Sequence, residues 1–222
     1  HHGLWDRIRG DLMRITSDYN YANTSRANTV TFTSTDAVVG TSADYNTSGN
    51  SNVAWCWDAG TAASGANNDG TINISSGNQW VNATAGFSIT KWTGTGAAAT
   101  VGHGLNAAPE FIMVKNLSQT DSWAVYHKEV GNTHALILDT NVVPAVTEAF
   151  WNDTSPTNTV FSVKTDPRTN GSSEDMIAYA WTPILGYSAF GKYTANNSAD
   201  GPFINCGFQP RWIMFKNISS AW

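Results

Sequence analysis

Apolar residues fall in short runs along this chain, and within each run they tend to alternate. Segments 29–33, 53–57, 87–92, 111–115, 123–127, 160–163, 176–181, 187–193 and 212–216 are rich in β-branched or aromatic residues. Clusters of Gly, Asn, Asp, Ser and Pro separate them. Runs of this kind, bounded by turn residues, predict β-strands. No longer stretch carries an apolar stripe of helical period, so no long helix is expected. Many short strands with turn-like connections predict an all-β protein, an antiparallel β-sandwich.

The alternation also predicts which faces pack. Val53, Trp55 and Trp57 share one side of their strand, with Ala54 and Cys56 on the other. Ile177, Tyr179 and Trp181 likewise oppose Ala178 and Ala180. A face of small side chains lets a second layer approach closely. Cys56 is therefore expected as a buried small filler. Residues 111–115 are apolar on both sides, which predicts a central strand or one at an interface.

These similar strands belong to an internal repeat. "APEFIMVKN" from Ala108 returns as "QPRWIMFKN" from Gln209. Gly86-Phe87-Ser88 returns as Gly186-Tyr187-Ser188, and Lys91-Trp92-Thr93 as Lys192-Tyr193-Thr194. Trp123 matches Trp222, and "NSNVAWCW", ending at Trp57, matches "SEDMIAYAW", ending at Trp181. "HGLWDRIRG" fits "WAVYHKEVG", which gives His2 a place in the repeat and favours a native residue over a tag. Residues 5–13 could make a helical turn, but their equivalents at 123–131 read as strand. The expected organisation is a back half at 1–58 and a Gly/Ser/Asn-rich junction at 59–85. A complete unit at 86–185 and a further front half at 186–222 follow. The junction carries one strand candidate, 71–74. So divided, the chain reads as a stretch of a longer repetitive protein.

Composition narrows the function. Charged residues make up 13% of the chain, about half the ~25% usual in globular proteins. Aromatics are plentiful, with 10 Trp, 9 Phe and 7 Tyr, so the chain can bury a core. Net charge is -5 with 12 Lys plus Arg and no basic stripe, which argues against nucleic acid as a partner. No apolar run is long enough for a membrane-spanning helix, and no signal peptide pattern is visible. Cys56 and Cys206 are too few for a disulfide scaffold, and their pairing is left open.

Catalytic chemistry finds no foothold. Asp6, Asp11, Glu110, Glu129, Glu148, Glu174 and Asp175 form no paired-carboxylate pattern, and they read as solvated surface acids. His1, His2, His103, His127 and His134 lack zinc-ligand spacing, and "VGHGL" around His103 becomes "INCGF" around Cys206 in the repeat. His103 thus reads as a turn or packing residue. "ANNDGT" at 66–71 lacks the alternating acids of a calcium loop. Neither a nucleophile elbow nor a P-loop is present. No catalytic residue, metal or cofactor is expected. Aromatics, amides and hydroxyls remain, a mixture suited to stacking on sugars and hydrogen-bonding them, and equally to an inert fibre. Trp80 and Trp92 are the candidate ligand-binding residues, with a core role the alternative for each.

Three stretches carry a family resemblance: "GFSITKWTGTGAAATVGHGLNAAPEFIMVKN", "SWAVYHKEVG" and the run from "FWNDTSPTNTVFSVKTDPRTNG" to "QPRWIMFKN". Together with "HHGLWDRIRG" and "NVAWCW", they resemble the repeats of large virion proteins of marine tailed bacteriophages, described as SPRY-like or concanavalin A-like lectin-type fibre proteins. The resemblance covers nearly the whole chain. It implies a concanavalin A-like or jelly-roll sandwich built from tandem sub-repeats, in a tail fibre or similar virion appendage. It further implies a homotrimer that contacts other virion proteins and faces cell-surface glycan, without membrane insertion. It brings no catalytic residues. The alternatives are a polysaccharide-degrading enzyme on a lectin-like sandwich and a capsid or neck decoration protein without host contact.

Overall fold

The structure is a computed structural model that describes residues 2–219. His1 and the expected equivalence of Trp222 with Trp123 lie outside the described residues. The N-terminal part carries short strands: β1 (Gly3–Leu4), β2 (Met13–Thr16), β3 (Thr24–Ser25), β4 (Val30–Phe32) and β5 (Ala37–Val39). β6 (Thr61–Ala62), β7 (Gln79–Asn82), β8 (Phe87–Thr93), β9 (Ala99–Gly102), β10 (Phe111–Asn116) and β11 (Ala124–His127) follow. The last elements are β12 (His134–Ile137), β13 (Ala145–Val146), α1 (Glu148–Trp151), β14 (Val160–Val163), α2 (Pro167–Asn170) and β15 (Asp175–Trp181).

One eight-stranded antiparallel sheet dominates, in the order β13-β12-β11-β10-β15-β8-β7-β6. At its centre β10 and β15 pair from Phe111↔Trp181 to Asn116↔Met176. β15 pairs on its other side with β8, from Trp181↔Phe87 to Asp175↔Thr93. The central placement of 111–115 therefore holds.

Both faces of this sheet are covered. Met176, Ala178 and Ala180 of β15 and Ile112 and Val114 of β10 face a core completed by Val101, Phe161, Val163, Phe150, Trp151 and Ile74. That second layer is the β9–β14 pair together with α1. The small alanines admit it closely, as the alternation predicts. On the opposite face Phe87, Ile89, Ile177 and Tyr179 pack with Ile15, Leu4 and Ile8 from the N-terminal segment. The result is an all-β sandwich with an N-terminal covering on its second face.

The two helices are single turns, set by their caps. The Thr147 hydroxyl accepts from Ala149 N–H, and Asn152 closes α1 in the left-handed region at φ 52°. Asp166 caps α2 through Arg168 N–H, with Pro167 at the first helical position.

The strand candidate at 71–74 makes only isolated bridges, Ile72↔Val101 and Asn67↔Ile74, and three strands expected from the repeat are absent from the sheets. Residues 53–57, 187–193 and 212–216 form no ladder, apart from an isolated bridge between Ile184 and Ser188. Their equivalents β15, β8 and β10 each have a partner on both sides. Ladder bonds and cross-strand side chains stabilise a strand more than its own propensity does. Cys56 is consequently exposed rather than a buried filler, and both cysteines are free thiols. The segment 59–85 also differs from a plain junction. It supplies the edge strand β6 and its neighbour β7 and buries Ile72 and Ile74 in the core.

Candidate functional site

The two tryptophans expected at a ligand site lie on opposite faces of the main sheet. Trp92 of β8 is 3% exposed and packs edge-on against Phe161 at 5.9 Å. It is a core residue and presents no face to a sugar. Trp80 of β7 is half-buried and pairs with Ile89, whose side chain belongs to the other core. The structure does not bring the two together.

Asp6 is not a solvated surface acid. Its side chain is buried and takes a 2.6 Å ion pair from Arg9 Nε and a 2.6 Å hydrogen bond from the Tyr179 hydroxyl. Its other oxygen accepts from the backbone N–H groups of Ile8 and Arg9, which turns residues 6–9 back on themselves. Arg9 donates further to the carbonyls of Met13 and Leu4 and to Asn23 Oδ1. Burial pushes the Tyr179 hydroxyl well above its ordinary pKa. This cluster is closed to solvent, so it clamps the N-terminal segment to the sheet and offers a ligand nothing.

A second buried polar group orders two loops. Lys115 Nζ donates to the carbonyls of Asn116 and Asp121 at 2.8 Å each and of Asn20 at 3.3 Å. Burial lowers its pKa to about 8, against the opposing charges of Asp121 and Asp139. Trp123 Nε1 donates to the Thr16 carbonyl at 2.7 Å, and Asn23 N–H to the Leu117 carbonyl at 3.0 Å. These bonds tie residues 16–23 to residues 115–123.

Between the tied loops lies an open groove of about 310 Å³, lined by Arg14, Ile15, Thr16, Tyr21, Ala22, Thr24, Arg26 and Thr120. Its size falls at the low end of small-ligand sites. The rings of Tyr19 and Tyr21 stack in parallel 5.2 Å apart, and both are exposed. Arg14 is held by Asp44 and the Tyr45 hydroxyl, while its buried Nε has no hydrogen-bond partner among the described residues. Arg26 is exposed. The groove thus offers the Tyr21 ring, threonine hydroxyls and the exposed Arg26 guanidinium, with no carboxylate in its lining and with the buried Arg14 already paired to Asp44.

The residues 14–26 did not stand out in the sequence. The one signal there is Tyr19 and Tyr21 spaced by a single residue within the turn-rich "SDYNYAN". His103 is buried, with Nε2 against the Thr157 carbonyl and Nδ1 accepting from Leu105 N–H, a packing residue as its repeat partner suggests. Among the described residues no group of His, Cys, Asp or Glu has the arrangement of a metal site. No helix of the described residues is long and apolar enough to cross a membrane.

A family model described as a domain of unknown function, DUF7483, matches residues 1–222, and the chain belongs to that family. Neither a curated protein nor a solved structure matches it.

Proposed function

We propose that this DUF7483 chain is a structural and adhesion segment of a bacteriophage tail fibre or similar virion appendage, and that it binds cell-surface glycan in the groove between residues 14–26 and Thr120. The groove carries this reading. The exposed Tyr21 ring matches the apolar face of a sugar, threonines match its hydroxyls, and the exposed Arg26 guanidinium matches a carboxylate or sulfate. The lining favours acidic over neutral polysaccharide, because Arg26 has no acid beside it in the groove. The virion setting rests on the repeat phrases and on a surface that is rich in hydroxyls and amides and poor in charge.

The test is binding of the purified chain to immobilised acidic and neutral polysaccharides. Tyr21→Ala and Arg26→Ala should each weaken acidic-glycan binding about tenfold or more, roughly 1.4 kcal/mol, without lowering the melting temperature. Equal binding by wild type and both variants removes the groove from the reading. Antibody labelling of intact particles checks the setting, and label away from an appendage counts against the fibre.

A further inference from the structure

Two apolar segments outside the sheets show their side chains to solvent. In residues 52–57, Val53 is 79% exposed and Trp55 57%. In residues 212–217, Trp212, Ile213, Met214 and Phe215 are all about half exposed. Apolar surface of this density marks an interaction surface. The repeat says what covers it. Residues 212–217 repeat β10, and residues 52–57 repeat β15. In the complete unit those two strands pair with each other, and the rings of Phe111 and Trp181 lie 5.3 Å apart at one end of the ladder. The equivalent rings, Trp212 and Trp57, already lie 6.2 Å apart.

We propose that residues 52–57 and 212–217 of one chain pair as antiparallel strands in the register of β15 and β10, forming the centre of a second sheet. Carried across the repeat, that register sets Trp57 opposite Trp212, Cys56 opposite Ile213, Trp55 opposite Met214 and Ala54 opposite Phe215. Small then faces large on one side, Ala54 and Cys56 against Phe215 and Ile213. Ala178 and Ala180 face Val114 and Ile112 in the same way within the complete unit. The other side gathers Trp55, Trp57, Trp212 and Met214 next to Trp181, which lies 6.1 Å from Trp57. The occupant is the chain's own segment, because the Trp57–Trp212 contact forms within a single chain. The groove residues take no part, so this pairing and the glycan reading stand or fall separately.

The native thiol of Cys56 reports the register. Ile213→Cys and, separately, Phe215→Cys are made in a Cys206→Ser background and oxidised with diamide. Directly opposed residues of an antiparallel pair come within disulfide reach, whereas diagonal ones do not. The Cys56 disulfide should form at least about tenfold faster in the Ile213→Cys variant than in the Phe215→Cys variant, in a species that migrates as a monomer without reductant. Equal rates overturn the register, and a disulfide-linked dimer names a second copy as the occupant and overturns the intrachain pairing. Amide hydrogen exchange on the unmodified chain checks the strands directly. Protection in 52–57 and 212–217 of about tenfold or more over exposed loops is expected, and exchange at loop rates overturns the proposal.

Discussion

The Tyr179 hydroxyl donates to Asp6 Oδ2 at 2.6 Å, joining two residues 173 positions apart in the sequence. Tyr179 belongs to the central strand β15, and Asp6 to the turn that lays the N-terminal segment over the second face of the sheet. Both partners are buried beside Arg9, whose desolvated guanidinium is ion-paired to the Asp6 carboxylate. Asp6→Ala leaves that cation uncompensated, and it should destabilise the chain by about 3–5 kcal/mol. Tyr179→Phe removes the hydrogen bond to Asp6 and the long 3.5 Å one accepted from Arg9 Nη2 but keeps the ion pair, so about 1–2 kcal/mol is expected. Urea unfolding measures both. A smaller loss for Asp6→Ala than for Tyr179→Phe would contradict the clamp.

Lys115 should give the chain a pH-dependent stability of defined sign. Its folded pKa lies at about 8, below the ordinary lysine value, because burial disfavours the ammonium. Between about 8 and about 10.4 the unfolded chain binds this proton and the folded chain does not, so this residue makes stability rise with pH across that window. The favourable contribution is present above the unfolded pKa and disappears as pH falls through the folded one. Lys115→Met removes the titration and also leaves the carbonyls of Asn20, Asn116 and Asp121 without their donor. Unfolding followed from pH 7 to about pH 10.5 should show wild type gaining stability relative to Lys115→Met. A constant difference across that range would rule out the titration.

The central strands were legible because their alternation carries both period and residue size. Ala178 and Ala180 opposite Ile177 and Tyr179 specify which face accepts a close layer, and the structure packs them so. The repeat also separated β8, β10 and β15 from turns. It did not foresee that Val53–Trp57 stands outside the sheets, since strand formation depends on partners outside the segment. Burial of Asp6 was equally invisible, because it arises from a bond across nearly the whole chain. The groove eluded the sequence for a related reason. Tyr21 and Thr120 line one groove because Lys115, Trp123 and the Asn23–Leu117 bond tie their loops together, and no local pattern encodes those ties.

Trp92 and Trp80 look alike in the sequence, two tryptophans in neighbouring strands, and the structure gives them different consequences. Trp92 fills the core between the main sheet and the β9–β14 pair, in contact with Phe161. Its indole nitrogen is buried without a hydrogen-bond partner among the described residues, so its contribution is packing. Trp92→Ala removes a large buried ring from a close-packed layer and should cost about 3–5 kcal/mol. Trp92→Phe keeps most of the ring contact while removing the unpartnered N–H, and should cost much less. Trp80 is half-buried near the β6 edge of the sheet, so Trp80→Ala should cost about 1–2 kcal/mol less than Trp92→Ala. Thermal and urea unfolding of the three variants rank them. A Trp92→Ala chain as stable as wild type would show that this residue does not fill the core, and would return it to the candidates for ligand contact.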